Sequence, residues 1–194
     1  MKKDEPNKSA LILSGAFHVL LTEGLPHLSY DRVAQAAGVT RQLVRYYFPN
    51  SEDLMLALCD HLADTYRETL VNSVSQREDV NRLDLFFDFY FDLLDGTSKP
   101  RDEQVYDTLF SLATSSEKVR GNLRGQYTLL GQVLAHEVRL QYPDIPLPAC
   151  TEISYLFVVI LYGHWKMVAT LGLDESHRRA SKILRFEKVY PTES

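Results

Sequence analysis

Apolar residues recur three and four positions apart along most of this chain, the spacing of one helix face, and no stretch alternates with the period of two that a strand requires. A first helix is expected over Lys8 to Glu23, with Leu13, Ala16, Phe17 and Leu20 on one face and Gly24 after its end. A second begins after Ser29, whose hydroxyl can accept from a backbone N–H two or three residues on, and carries Val33, Ala34 and Ala37. Gly38 ends it, because glycine enters a left-handed cap without steric cost. Thr40 caps a third helix, Arg41 to Phe48, in which Leu43, Val44 and Phe48 can anchor on a core. Asn50 or Ser51 caps a fourth that opens Glu52-Asp53-Leu54 and runs to about Ser75. Breakers then separate Arg82 to Leu94, Asp102 to Thr114, Glu117 to Gln141, Ala149 to Leu171 and Asp174 to Tyr190. The expected class is all-α, with no internal repeat.

The segment from Ser29 to Leu54, SYDRVAQAAGVTRQLVRYYFPNSEDL, has the form of a helix-turn-helix, which places one helix in the DNA major groove. On the third helix Arg41, Gln42, Arg45 and Tyr46 are left pointing outward. Arginine can bond guanine bidentately and glutamine can bond adenine. Tyr46 and Tyr47 are placed to touch phosphate or a thymine methyl. The candidate DNA contacts are therefore Ser29, Thr40, Arg41, Gln42, Arg45, Tyr46 and Tyr47. An αα-hairpin of an ordinary helical protein would show part of the same pattern, and the flanking helices are what argue against it.

On these residues the chain resembles the tetracycline-repressor (TetR) family of bacterial regulators. That family's N-terminal pattern is an ILxAAxxLF helix, an ExG turn, a Thr-capped helix ending in AG, then VSxxxLYxYF and a SKExL helix start. Here the counterparts are Ile12 to Leu20, Glu23-Gly24, Ser29, Val33-Ala34, Ala37-Gly38-Val39-Thr40, Tyr47-Phe48 and Glu52-Asp53-Leu54, without gaps. Three positions depart from the pattern. Gln42 stands where the family has a small residue, Arg45 replaces a Tyr, and Ser51 replaces a Lys that contacts phosphate in relatives. The first two suggest a different base preference, with Arg45 as a new reader; the third removes a positive charge. Gly15, inside the first helix, is expected to mark a close helix crossing.

The resemblance implies a three-helix DNA-binding head (residues 1–54) and a larger helical effector-binding and dimerisation domain (residues 55–194). It implies a homodimer formed through the last two helices, Ala149–Leu171 and Asp174–Tyr190, reading two half-sites of a double-stranded operator. It also implies a repressor released from DNA by a small-molecule effector of unknown identity. The alternative is a DNA-binding regulator controlled by a protein partner, with no small-molecule pocket. The aromatic residues of the body that suggest a pocket are Phe86, Phe89, Tyr90, Tyr106, Phe110, Tyr127, Tyr162 and Trp165. Ligand pockets are commonly apolar with a few polar groups, but each of these residues taken alone also reads as core.

Charge and chemistry change this picture little. The net charge is −5, and all of it lies beyond residue 54, because residues 1–54 carry six basic and six acidic side chains. Residues 28–48 hold Arg32, Arg41 and Arg45 against Asp31 alone. The DNA face is thus weakly basic, which favours specific contacts over non-specific affinity. Lys2, Lys3 and Lys8 suit either a DNA-touching arm or an ordinary solvated terminus. Asp84, Asp88, Asp92 and Asp95 would form one stripe on the fifth helix, read as a solvated face in preference to a wall for a cation. Cys59 and Cys150 are far apart and have no CxxC partner, so buried thiols are expected, with no metal and no cofactor. No Ser-His-Asp set, HExxH or phosphate loop points to an enzyme. The most apolar run, Ile153 to Leu161, is shorter than the ~20 residues of a membrane helix, and the N-terminus has no apolar signal core, so a cytoplasmic protein is expected.

Overall fold

The computed structural model describes residues 7–76, 81–94 and 103–172. Among these the regular structure is helical throughout: α1 (Lys8–Glu23), a 3-10 turn (Leu25–His27), α2 (Tyr30–Ala37), α3 (Arg41–Tyr47), α4 (Ser51–Ser75), α5 (Arg82–Tyr90), α6 (Glu103–Ala113), α7 (Glu117–Gln141) and α8 (Leu147–Leu171). The all-α expectation holds. The ninth helix expected over Asp174 to Tyr190, and the Lys2-Lys3 arm, lie outside the described residues. Internal packing divides the chain into two compact units, Met1–Thr65 with Arg101–Arg124 and Tyr66–Pro100 with Gly125–Ser194. The division falls inside α4 and α7, so each of these helices contributes to both units. It describes compactness and leaves the functional boundary after Leu54 as an expectation.

In the first unit α1 buries Ile12, Leu13, Ala16, Val19 and Leu20. The start of α4 adds Leu54, Met55, Leu58, Cys59 and Leu62, and α6 and α7 add Val105, Leu109, Val119 and Leu123. Polar ties fix the helix starts. Asn50 is the residue that caps α4: its side-chain oxygen accepts from the Asp53 N–H at 2.8 Å, and its amide donates to the Asp53 carboxylate at 2.7 Å. Ser116 caps α7 by accepting from the Val119 N–H at 3.2 Å, and its hydroxyl also donates to Glu52. Asn122 reaches Asp60 at 2.8 Å.

The second unit is built around Leu83, Phe86, Phe87, Phe91, Leu134, Val138, Cys150, Ile153, Phe157 and Leu161. At its edge Arg82 donates to Glu137 at 2.7 Å, with the Glu137 side chain only 10% exposed. Both cysteines are buried and free.

Two expectations need correction here. The fifth helix stops at Tyr90 rather than Leu94. Asp92 takes a left-handed φ of 58°, the Leu93 N–H donates to the Asp88 carbonyl at 2.8 Å and the Asp92 N–H to Phe89 at 3.2 Å. That is the paired closure of a Schellman cap, usually built on glycine. The acidic stripe therefore ends with Asp88: Asp92 has left the helix, and Asp95 lies outside the described residues. Arg120 donates to Glu117 and to the Ala113 and Thr114 carbonyls. The second correction concerns α8. By length and composition Leu147–Val168 is long and apolar enough to cross a membrane, which the shorter run Ile153 to Leu161 concealed. Its Cys150, Ile153, Phe157 and Leu161 face is buried in the core of the second unit.

Candidate nucleic-acid interface

The head follows from local signals that each act within a turn. The Ser29 hydroxyl accepts from the Arg32 N–H at 3.3 Å and starts α2. Gly38 closes it at φ 64°, with the Val39 N–H on the Ala34 carbonyl at 3.0 Å and its own N–H on Gln35 at 3.3 Å. The Thr40 hydroxyl accepts from the Leu43 N–H at 3.2 Å and starts α3. Val44 is fully buried, Phe48 nearly so and Leu43 half so. Those three pin α3 by one face and turn the other outward. Arg41, Gln42, Arg45, Tyr46 and Tyr47 are all exposed, Tyr46 at 79%. Ser29 and Thr40 are exposed too, but their hydroxyls are engaged as caps, so their structural role is to place the helices.

Gly15 shows how tightly the head is assembled. A Cβ there would lie 2.9 Å from both Cβ and backbone N of Ala37, and 3.0 Å from the Val33 carbonyl. The close crossing expected from the sequence is thus between α1 and α2. Arg32, one of the three arginines of the region, belongs to this assembly: its Nε donates to Glu23 at 3.0 Å and its Nη1 to Gln35 at 2.9 Å. The other two, Arg41 and Arg45, stand one turn apart on the outward face of α3.

The remaining charges of that face are arranged around them. Asp31 holds Arg41 Nη1 at 3.2 Å. The Arg45 guanidinium lies 5.9 Å from the centre of the Tyr30 ring, within cation–π range. The Tyr30 hydroxyl donates to the Phe48 carbonyl at 2.8 Å. Burial pushes the Tyr30 phenol above its usual 10, against the lowering effect of Arg45, with Asp53 adding to the rise.

Residues 12–58 match the profile of the family described as bacterial regulatory proteins, tetR family. A 90-residue stretch is 31% identical to the HTH-type transcriptional regulator EthR of Mycolicibacterium smegmatis, covering 43% of this chain and 42% of that protein. Residues 12–58 of this chain are thus similar to the N-terminal region of that family. The stretch matched to EthR spans less than half of that relative's length. Several solved structures share the fold over nearly the whole chain. A TetR transcription regulator from Haloarcula marismortui superposes with a TM-score of 0.76 at 16% identity, over 91% of this chain and 93% of that one. A transcriptional regulator from Saccharomonospora viridis in complex with choline gives 0.74 at 18%, over 95% and 97%. The multidrug binding protein EbrR complexed with imidazole gives 0.69 at 18%, over 98% of each chain. At these identities the likeness concerns the fold.

The eight aromatic residues suggested for a pocket are distributed over both compact units. Phe86, Phe89, Tyr90, Tyr127, Tyr162 and Trp165 fall in the second unit, whereas Tyr106 and Phe110 lie on α6 in the first. Tyr90 is the centre of the group: Phe86 is 4.8 Å away, Phe89 5.1 Å and Phe157 5.9 Å, ring centre to ring centre. Trp165 donates from Nε1 to the Tyr90 carbonyl at 3.1 Å. Burial pushes the Tyr90 phenol up to about 12, with Arg67 pulling the other way. Tyr66, which sequence reasoning passed over, stacks parallel to Tyr90 at 6.5 Å. Among the described residues no group of three or more His, Cys, Asp or Glu could hold a metal ion. Sequence reasoning also missed Tyr30 and counted Asp31 only as a charge. Their contacts to α3 are non-local, and no spacing within a single helix signals them.

Proposed function

We propose that this protein is a sequence-specific DNA-binding transcriptional regulator, acting as a repressor that a small-molecule effector releases from its operator. The observation that carries the reading is the outward face of α3. A seven-residue helix, pinned by Val44 and Phe48, presents Arg41, Gln42, Arg45, Tyr46 and Tyr47 together. That set suits base edges and phosphates, and the helix is held by the two-helix device that enters the major groove. Residues 1–54 form the DNA-binding domain in this reading, and residues 55–194 bind effector and dimerise, in the cytoplasm of a bacterium.

The effector half rests on the aromatic group around Tyr90 and on what similar folds hold. EbrR is described in complexes with imidazole, malachite green and ethidium, and the Saccharomonospora viridis regulator with choline. The dimer half rests on α8, which leaves Tyr155, Leu156, Val159 and Met167 exposed on the side away from its core face. Such a stripe is the kind of apolar surface that marks an interface, and a two-fold copy covering it would carry two heads. Effector and DNA then oppose each other by reciprocal coupling, typically about 1–3 kcal/mol. α4, which begins beside the head and continues into the second unit, is the covalent route between the two sites.

The test is selection from a random-sequence duplex pool by the purified protein. Enrichment of an inverted repeat, with half-sites about one DNA turn (~34 Å) or a multiple apart, is the expected result. A pool that stays random after repeated rounds refutes the reading.

A further inference from the structure

The head contains two contacts that its helix-turn-helix form does not require, and both fall on the arginines of α3. Asp31 and Tyr30 are adjacent, in the first turn of α2. Asp31 Oδ2 is 3.2 Å from Arg41 Nη1, and the Tyr30 ring lies under the Arg45 guanidinium at 5.9 Å. The Tyr30 ring cannot easily swing away, because its hydroxyl is tied at 2.8 Å to the carbonyl of Phe48, the residue that ends α3. Arg32, the third arginine of the region, is occupied by Glu23 and Gln35. Two neighbouring side chains of one helix therefore constrain the two guanidinium groups that the next helix turns outward.

We propose that Tyr30 and Asp31 are specificity-determining positioning residues, which hold Arg45 and Arg41 in the orientations that read bases. This rests on the DNA-binding reading above. The physical argument concerns what an arginine on an exposed helix does when nothing holds it. The side chain is long and rich in rotamers, so ordering it on a base costs conformational entropy. A loose guanidinium is also satisfied by any phosphate, a contact that adds affinity without sequence information. A ring platform and a carboxylate act on these two problems differently. The fixed Tyr30 ring restricts Arg45 to a plane while leaving its N–H edges free for a guanine. The Asp31 carboxylate fixes one edge of Arg41 and repels phosphate, so that Arg41 is drawn to a base edge in preference to the backbone. The Asp31–Arg41 pair is exposed on both sides. Such pairs add little to folding, so removing it tests orientation with the fold intact.

The experiment compares the duplex enriched by the wild-type protein with its single-base variants, for Tyr30→Leu, Tyr30→Phe, Asp31→Asn, Arg45→Ala and the double variant Tyr30→Leu/Arg45→Ala. Tyr30→Leu is expected to flatten discrimination at the base pair that Arg45→Ala also flattens, by about 5-fold or more, the lower end of what one bidentate arginine–base contact supplies. It should add nothing further in the Arg45→Ala background, and Tyr30→Phe, which keeps the ring but loses the tie to the Phe48 carbonyl, should flatten the same base pair less than Tyr30→Leu. Asp31→Asn should flatten a different base pair. It should also strengthen binding to scrambled duplex and steepen the salt dependence, by about 0.9 in log–log slope for one added phosphate contact. An equal loss across all duplexes on Tyr30→Leu, or the same loss with Arg45 already removed, overturns the assignment of Tyr30. Unchanged base preference in Asp31→Asn overturns that of Asp31, and this exposed variant decides its half even if Tyr30→Leu does not fold. A wild-type protein that enriches no duplex removes the DNA-binding reading and this one with it, an outcome distinct from a variant failing where wild type succeeds.

Discussion

Replacing Gly15 with alanine sets two effects of known size against each other. Alanine in a helix interior is favoured over glycine by about 0.8–1 kcal/mol, so on propensity alone the substitution stabilises α1. Packing opposes it. Non-bonded carbon atoms rest at about 3.5–4.0 Å, whereas the new Cβ would meet Ala37 Cβ and Ala37 N at 2.9 Å and the Val33 carbonyl at 3.0 Å. Two of those three atoms are backbone and the other is a β-carbon fixed to it, so no flexible side chain can give way. α1 and α2 must move apart by an appreciable fraction of an ångström, which loosens the contacts of Ala16 and Val33, both buried in this crossing. Overpacking of this kind costs about 1–3 kcal/mol. The balance is a net loss of up to about 2 kcal/mol, with a midpoint of roughly 1, or a fall in Tm of about 2–4 °C per kcal/mol for a chain of this size.

The same substitution at Gly121 supplies the control. Gly121 is exposed on α7, in the same compact unit, with nothing within 4 Å of its would-be Cβ. There the propensity gain stands alone, and Gly121→Ala is expected to raise Tm. Thermal and urea denaturation of the two variants beside wild type should therefore give shifts of opposite sign. A Gly15→Ala protein that melts at or above wild type would refute the argument, since it would mean that the α1–α2 crossing accommodates a methyl group without cost.

Four further outcomes are expected. Gly38→Ala should lose about 1–2 kcal/mol by urea denaturation: its φ is 64° and its Cβ would meet nothing, so the whole loss is conformational. Tyr90 has a folded pKa near 12 against about 10 unfolded, so above pH 10 the unfolded chain loses the proton first. Its contribution is fully present below pH 10 and is lost as pH rises through 12, roughly 2–3 kcal/mol in all; Tyr90→Phe should flatten that part of the alkaline stability curve, and an unchanged curve would exclude the group. Arg41→Ala should relax preference at one operator position by roughly 1–3 kcal/mol in binding assays with single-base variants, and a uniform loss would assign Arg41 to phosphate. Ser51→Lys should raise affinity for all duplexes and steepen the salt slope by about 0.9 without changing base preference; an unchanged slope would show that this position does not face phosphate.

What was legible in the sequence was what a single turn of helix decides. Ser29, Gly38 and Thr40 act on backbone groups two to four residues away, and α2 and α3 begin and end where those residues require. Where the same task falls to an unusual residue the boundary is missed. Asp92 closes α5 in a left-handed conformation more often taken by glycine, so the sequence pattern runs on to Leu94 and aligns Asp92 with Asp84 and Asp88 although the helix ends at Tyr90. Pro148 sits in the first turn of α8, which proline tolerates, and the helix therefore starts two residues earlier, at Leu147. Gly15 was read correctly because a glycine inside an apolar helix face has few other uses. Contacts between helices left no such trace. The pairing of Tyr30 with Arg45 and of Asp31 with Arg41 depends on how α2 crosses α3.

The two unusual properties of the head fit each other. Its net charge over residues 1–54 is zero, and its fourth helix starts on the uncharged Ser51. A head of this kind draws little affinity from the phosphate backbone, since that affinity grows with the number of phosphates neutralised. Its binding must then come from base contacts, whose worth depends on how well the reading groups are ordered beforehand. With Arg32 committed to Glu23 and Gln35, Arg41 and Arg45 are the arginines that the proposed reading assigns to bases on the outward face of α3. Each meets a constraint from the first turn of α2, a carboxylate in one case and a tethered ring in the other. A carboxylate beside a DNA-reading arginine would be a liability in a protein that relied on electrostatic affinity. In one that relies on discrimination it weakens the competing phosphate-bound state, and the energy lost from non-specific binding widens the gap to the operator.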